Sequence, residues 1–343
     1  MADIKSTIFQ IDGEVANRIK KKYVSTGLSY GWKANIDRTY DQGHWNKLIL
    51  PNSKRFPCDY SNTPALSNHK DIKVMWDLLQ ENIGNRGFYR TYINGYTFGT
   101  DGYAHRDDIW ITKKYGDDAL SETAILYLNP TWNIDWGGET VIYENNSNMD
   151  NNIVEAVLPK LGRVFVFQSN KYHASRPLSR ICTELRSILV IKTIDPTIIS
   201  PQVKFITDIT STVKHTGRTF FEHLFGTMLK LEALSPQVSD DVLLAGLYHS
   251  IYGTEFFNYK NSDITRDVVK ELIGEYAENL AYEFCNMKNR MNTLMTNSNQ
   301  YEPNILSDLI KIESCNLADQ NANGIYDNQI QQLETKLRSI VRT

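Results

Sequence analysis

Cysteine is scarce in this chain and scattered. The four present, Cys58, Cys182, Cys285 and Cys315, form no Cys-x-x-Cys pair. That argues against a disulfide scaffold and a zinc knuckle, and suits a reducing compartment. Long apolar runs are missing as well. No stretch reaches the roughly 18 residues that a membrane helix needs. The start, Met1-Ala2-Asp3-Ile4-Lys5, lacks the apolar segment of a signal peptide. A cytoplasmic protein with no membrane partner is the expectation. Charge of one sign is also lacking. Lys and Arg number 37 against 40 Asp and Glu, leaving a net charge of -3, so no nucleic-acid partner is expected. The local run Arg18-Ile19-Lys20-Lys21-Lys22 reads as a solvated helix face. No internal repeat is visible, and nothing in the pattern specifies an oligomeric state.

What remains is an ordinary globular composition, 41% hydrophobic and 22% charged, in 343 residues. That length accommodates two domains. Residues 1–87 read as an N-terminal extension rich in aromatic and turn residues, with a helix expected around Asp71–Asn82. His44 and His69 suggest surface or packing roles. The β-rich core runs from about 88 to 195 and ends at Asp195-Pro196 and Ser200-Pro201. Residues 145–152, almost all Asn, Ser and Asp, read as a polar loop between strands. After about 203, strand alternation gives way to helical periodicity. Ser239-Asp240-Asp241 caps one helix. Thr265 precedes an amphipathic pattern that predicts one long helix over 266–289. A polar helix is expected over about 328–341.

The chemistry concentrates in His105-Arg106-Asp107, His173 and Arg186. A His-x-Asp pair sets an imidazole and a carboxylate at a strand end or in the turn after it. A distant second His completes a face of two imidazoles and one carboxylate, which leaves open positions on a divalent metal. His173 follows the apolar run Val164-Phe165-Val166-Phe167. Arg186 opens a second, Ile188-Leu189-Val190-Ile191. Two adjacent strands joined by a loop are expected to bring His173 and Arg186 to one end of one sheet. A buried Arg there can hold a carboxylate through two parallel hydrogen bonds. Gly137-Gly138 is read as a bulge or a close backbone approach.

These residues carry a family resemblance. Arg90-Thr91-Tyr92, the run from Gly99 to Asp107, Leu126-Tyr127-Leu128-Asn129, Trp136-Gly137-Gly138-Glu139-Thr140, Gly162-Arg163-Val164-Phe165-Val166-Phe167 and Arg186-Ser187-Ile188-Leu189 make residues 88–193 resemble the 2-oxoglutarate- and Fe(II)-dependent oxygenases, in their prolyl-4-hydroxylase-like branch. The resemblance implies a double-stranded β-helix, or jelly roll. It implies His105, Asp107 and His173 as catalytic iron ligands. Arg186 and Tyr127 would bind the distal carboxylate of 2-oxoglutarate, and Tyr92 and Tyr103 would line its pocket. The loop between His173 and Arg186 is longer than in most relatives, which makes Arg180 a competing anchor. Fe(II), 2-oxoglutarate as co-substrate, molecular oxygen and stimulation by ascorbate follow from the resemblance. So does a peptide or small-molecule substrate hydroxylated at an unactivated C–H bond, with proline the leading candidate. Asp107 favours hydroxylation, because relatives that install halide lack this carboxylate.

A second resemblance covers roughly 205–300. His215-Thr216-Gly217-Arg218-Thr219, Glu222-His223-Leu224 and the run from Ala245 to Gly253 are similar to helical HD-type domains. Catalytic members hold metals with a His-Asp dyad, but Ser250 stands where that Asp is expected. A neutral hydroxyl is a poor bridging ligand. The fold class expected is therefore α+β: a jelly-roll oxygenase domain over 1–198, then an all-α HD-like domain over 203–343 without the usual dinuclear site. In that domain His215 and His249 are expected to donate hydrogen bonds in a polar pocket with Tyr252. Alternatives are a second enzyme with altered ligands, His215, His223, His249 and Glu255, with Asp263 in reserve, an extension of the oxygenase's substrate platform or dimer surface, or a non-catalytic binding protein throughout.

Overall fold

The computed structural model describes residues 6–33, 43–100, 102–116, 120–144, 152–235, 237–296 and 300–341. The polar run 145–152 lies almost wholly outside them. The chain divides into two compact units: residues up to 54 with 58–199, and residues 200–343 with 55–57.

The first unit is built from eleven strands. In chain order they are β1 (Ser6–Gln10), β2 (Ser29–Trp32), β3 (His44–Leu50), β4 (Gly87–Tyr96), β5 (Gly102–His105), β6 (Glu122–Tyr127), β7 (Thr140–Tyr143), β8 (Ile153–Val157), β9 (Arg163–Gln168), β10 (His173–Ser175) and β11 (Arg186–Ile194). Seven form one sheet in the order β1-β9-β6-β11-β4-β3-β2, and four form a second, β5-β10-β7-β8. Every pairing is antiparallel. One apolar cluster joins the two sheets. Ile125, Tyr127, Phe165, Phe167, Ile188 and Val190 come from the large sheet, and Ile142 and Val157 from the small one. This two-sheet antiparallel arrangement is consistent with the expected jelly roll.

β11 is buried along its whole length. A strand with both faces covered reads as a continuous apolar run rather than an alternation, which is how Ile188–Ile191 appears in the sequence. The helix Lys70–Ile83 buries Ile72, Met75, Trp76 and Leu79, the i, i+3, i+4, i+7 stripe of an amphipathic helix. Trp76 meets Phe88 edge-on at 5.0 Å, which seats the helix on the start of β4. The N-terminal extension supplies β1, β2 and β3 to the large sheet, so it is part of the barrel wall.

Two expectations change here. The apolar runs in β9 and β11 are not on adjacent strands, because β6 lies between them. His173 and Arg186 are not in one sheet either. His173 opens β10 in the small sheet and Arg186 opens β11 in the large one, so they face each other across the interior.

The second unit is helical, with helices Pro201–Thr210, Phe220–Leu234, Asp240–Tyr248, Arg266–Ile273, Glu275–Asn286, Arg290–Thr296, Pro303–Gln320 and Asp327–Val341. It is not purely α. A hairpin of β12 (Lys214–His215) and β13 (Arg218–Thr219) turns through Thr216 and Gly217, both at positive φ, as a two-residue hairpin loop requires. Thr219 then caps the next helix through a capping box with Glu222. Ser239 and Thr265 cap theirs through the amides of Val242 and Val268. The single helix expected over 266–289 is broken at Gly274, whose φ of 84° and ψ of 162° leave the helical region. Among the described residues no helix is long and apolar enough to cross a membrane. The four cysteines are free.

The inter-sheet cluster sets a measurable cost. Phe165 is fully buried, and truncating a buried Phe to Ala costs about 3–5 kcal/mol. Phe165→Ala is expected to lower amide protection in β6 and β9 by about two to three orders of magnitude in hydrogen exchange, while protection in the helical unit is unchanged.

Candidate metal centre and its cavity

Strand register creates the centre. His105 ends β5 and His173 opens β10, and the two are cross-strand partners, with ring centroids 4.3 Å apart. Immediately after β5 the chain turns sharply. Asp107 donates its amide to the Ser169 carbonyl at 2.8 Å, and Asp108 takes a left-handed conformation at φ 47°. That turn swings the Asp107 carboxylate back between the two imidazoles. Its oxygens lie 3.9 Å from His105 Nε2 and 3.2 Å from His173 Nε2.

The donor set suits a divalent ion. One ligand atom from each of the three residues lies within 4.8 Å of the other two. Cis positions on an ion with bonds of about 2.1 Å lie about 3 Å apart, close to the His173–Asp107 separation. His105 Nδ1 donates to the Tyr103 carbonyl at 2.7 Å, and His173 Nδ1 donates to the Lys171 carbonyl at 2.9 Å. Those bonds fix the tautomer and leave each Nε2 lone pair facing the common point. Burial, reinforced by His173, pushes the His105 imidazole down to about 4, so it is a neutral donor at pH 7. Burial alone would raise Asp107. Lys192 overrides it and holds the carboxyl well below its usual range.

The same cavity is lined by Tyr92, Tyr96, Thr140 and Arg186. Arg186 is wholly buried. Its Nε donates to the Gly138 carbonyl at 2.6 Å and its Nη2 to Thr140 Oγ1 at 2.9 Å. Its Nη1 is buried with no hydrogen-bond partner. A guanidinium held rigidly by two bonds, with one donor unspent, fits an acceptor that enters the cavity. Gly137 and Gly138 explain themselves here. Both have positive φ, and a Cβ on Gly138 would come within 2.6 Å of Leu178 and 3.1 Å of Arg186. The close approach is what lets a backbone carbonyl hold the arginine.

Two tyrosines sit differently from their expected places. The Tyr127 hydroxyl lies 2.7 Å from Thr140 Oγ1 and 3.1 Å from the Val157 carbonyl. It therefore braces Thr140 and the Arg186 guanidinium, 5.5 Å above its ring, and is not among the cavity-lining residues. Tyr103 is not among them either. An irregularity where β5 meets β10 pairs Ser175 with Gly102, and such a bulge breaks the two-residue alternation, so Gly102 and His105 both reach the cavity. Arg180, the competing anchor, is exposed.

Three contributors escaped the sequence reading. Tyr96 lines the cavity, and its ring lies 5.3 Å from the Arg186 guanidinium. Thr140 accepts from both Tyr127 and Arg186. Lys192 is completely buried, ion-pairs with Asp107, donates to Thr123 Oγ1 at 2.7 Å and lies 3.7 Å from Asp108. A signal for it existed. Lys192 lies six residues after Arg186 on one strand, hence on the same face, and it ends an otherwise apolar run.

In the helical unit the histidines gather around Asp319 rather than around the carboxylates expected from the sequence. His223 Nδ1 lies 2.8 Å from Asp319 Oδ2 and its Nε2 lies 3.1 Å from His249 Nε2. His249 Nδ1 donates to the Gly246 carbonyl at 2.7 Å. Both nitrogens of His223 and of His249 thus lie within hydrogen-bond distance of a partner. His215 stacks on His223 at 4.3 Å. Tyr252 bonds to Glu278, Glu255 to the Asn289 amide, and Asp263 accepts from Ser262. None of the three joins the histidines. Asp319 does, held also by Arg218, from 96 residues beyond His223.

Comparison with known proteins separates the two units. Residues 91–189 match the 2OG-Fe(II) oxygenase superfamily. Residues 206–289 match a domain of unknown function, DUF6817. No curated protein matches the chain. Among solved structures the chain is similar to a prolyl-4-hydroxylase from Pseudomonas putida, with 18% identity and a TM-score of 0.38 over 57% of this chain and 94% of that one. It is also similar to a 2OG-Fe(II) oxygenase family oxidoreductase from Burkholderia pseudomallei, with 14% identity and a TM-score of 0.41 over 55% and 84%. A third is HygX from Streptomyces hygroscopicus, solved with nickel and 2-oxoglutarate bound, with 10% identity and a TM-score of 0.37 over 56% and 83%.

The geometry fixes a stoichiometry. The full chain, reconstituted anaerobically with Fe(II) or Mn(II) and dialysed, is expected to retain one equivalent by elemental analysis, and Asp107→Ala to retain almost none. A second equivalent that survives in Asp107→Ala would place a metal in the helical unit.

Proposed function

Residues 91–189 being a 2OG-Fe(II) oxygenase domain, whose cofactors are Fe(II) and 2-oxoglutarate, we propose that this chain is a hydroxylase of unactivated C–H bonds, acting on prolyl or other amino-acid residues or on a small molecule. The observation that carries the reading is the unspent Arg186 Nη1 in the cavity that also holds the His105, Asp107 and His173 donors. His105, Asp107 and His173 would hold the iron on one face, and Arg186 would take the far carboxylate of 2-oxoglutarate. When bound, the metal and co-substrate supply oxygen activation coupled to decarboxylation, with succinate and carbon dioxide as products.

The chain's own residues define where that chemistry happens. Arg186 and the triad line one cavity, so a dicarboxylate with one end at the triad and the other on Arg186 would be held in one direction. Tyr96 and Tyr92 close its sides, and burial raises both phenols, Tyr96 to about 12. They remain neutral hydrogen-bond donors rather than competing anions. Ile125, Ile188 and Val190 complete an apolar lining, which limits water around the reacting atoms. Asp107 occupies the carboxylate position, which supports hydroxylation over halide transfer. No feature of the helical unit enters this reading.

The test needs no known substrate. Full-length protein with Fe(II), 2-oxoglutarate and oxygen is expected to form succinate slowly on its own and faster with a true substrate. A mass gain of one oxygen atom across prolyl peptides, free amino acids and metabolite pools identifies that substrate. Absence of succinate in the iron-loaded protein would favour a binding protein instead. Removing one partner of a buried charged contact costs about 3–5 kcal/mol, or more than a hundredfold in affinity. Arg186→Ala is therefore expected to raise the 2-oxoglutarate concentration for half-maximal turnover more than about a hundredfold, while Arg180→Ala leaves it unchanged.

A further inference from the structure

The helical unit contains a cavity of about 520 Å³, a volume typical of small-molecule sites. Arg290 and Glu313 line it and are both buried. Arg290 Nε donates to Glu313 Oε2 at 3.2 Å, and Asn316 Nδ2 donates to the same oxygen at 2.9 Å. The guanidinium is packed 4.3 Å from the Phe284 ring and 5.7 Å from the Phe256 ring. Its Nη1 is buried and has no acceptor among the described residues. Arg186 shows the same pattern in the oxygenase cavity: Nε committed, Nη1 unspent, open space alongside. Native proteins seldom leave such a donor unmade.

The surroundings narrow what the acceptor belongs to. The charge of Arg290 already faces Glu313, so an added anion would meet a buried carboxylate at close range. Arg218, just outside the lining, is committed to Asp319, and no lysine lines the cavity. A phosphate or carboxylate ligand has no free cation there. Phe256, Phe257 and Tyr326 bring aromatic rings to a lining that is otherwise mostly polar. Phe257 meets His215 edge-on at 4.7 Å, and Phe256, 78% exposed, leaves a ring face open to a planar ligand. A donor beside an acceptor, between ring faces, matches a carbonyl next to an N–H on a planar ring.

We propose that this cavity binds a small uncharged ring carrying an amide-type edge, a lactam or ring carboxamide, with its carbonyl on Arg290, its N–H toward Glu313 and its face against Phe256. The site is separate from the oxygenase cavity and independent of the function proposed for it.

The experiment titrates full-length protein with uracil, hypoxanthine and nicotinamide, and with uridine and inosine 5′-monophosphates, by calorimetry and saturation-transfer NMR. At least one ring is expected to bind with a Kd of about 0.1 mM or tighter, and its 5′-monophosphate no more tightly. Phe256→Ala, at an exposed position, is expected to weaken binding about tenfold through lost stacking. Arg290→Lys keeps the charge facing Glu313 but loses the fork, and is expected to abolish binding. Asp107→Ala is expected to leave it unchanged. Failure of all three rings to bind would overturn the proposal. So would binding that survives Phe256→Ala, that tightens tenfold or more on adding phosphate, or that is lost in Asp107→Ala. If Arg290→Lys does not fold, Phe256→Ala alone decides.

Discussion

The pairing of β5 with β10 is the constraint on which the oxygenase unit depends. Each strand is very short, three or four residues, and β5 lies at the edge of its sheet with β10 as its neighbour. Their register sets His105 directly opposite His173. A slip of one residue would send one imidazole to the far face and dissolve the centre. The turn after β5, with Asp108 in the left-handed region, then has one task, which is to return Asp107 to the pair. The seven-stranded sheet supplies the rigidity behind this. Its central strand β11 is buried along its length and carries Arg186 into the cavity, where it bonds Thr140 of the small sheet.

Among the described residues most buried polar groups find partners, though Arg90 Nε, Trp110 Nε1 and Asn170 Oδ1 do not. Asn129 meets Leu185 and Ser187, Thr91 meets the Val190 carbonyl, and Asn52 serves both Cys58 and Tyr89. Against that background two buried guanidinium groups that line cavities each keep an unspent Nη1. In the histidine cluster of the helical unit, by contrast, His223 and His249 find partners in Asp319, the Gly246 carbonyl and one another.

The parts legible in the sequence are those written in local chemistry. His105 and Asp107 are two residues apart, Ser239 and Thr265 stand at helix starts, and the helix over 70–83 shows its stripe. The parts that were not legible depend on strand order and on distant partners. Periodicity identifies β9 and β11 as buried strands but cannot say that β6 runs between them. A bulge in β5 undoes the alternation that would have placed Tyr103 beside His105. Gly274 looks tolerable within a helical pattern, and only its backbone angles show the break. Asp319 lies a long way in sequence from His223, and no spacing rule joins them. Lys192 was visible as a charge ending an apolar run, but its meaning required knowing that Asp107 would be its partner.

That lysine has a consequence for how the barrel closes. An ionised carboxylate sealed between two sheets is costly unless an opposite charge accompanies it. Here the companion is covalently part of β11, so the negative charge of Asp107 is balanced as soon as the sheets close. Many small metalloproteins cannot fold until their ion arrives. Lys192 supplies within the fold the countercharge that an ion would otherwise bring, so closure of the two sheets is not tied to metal in that way.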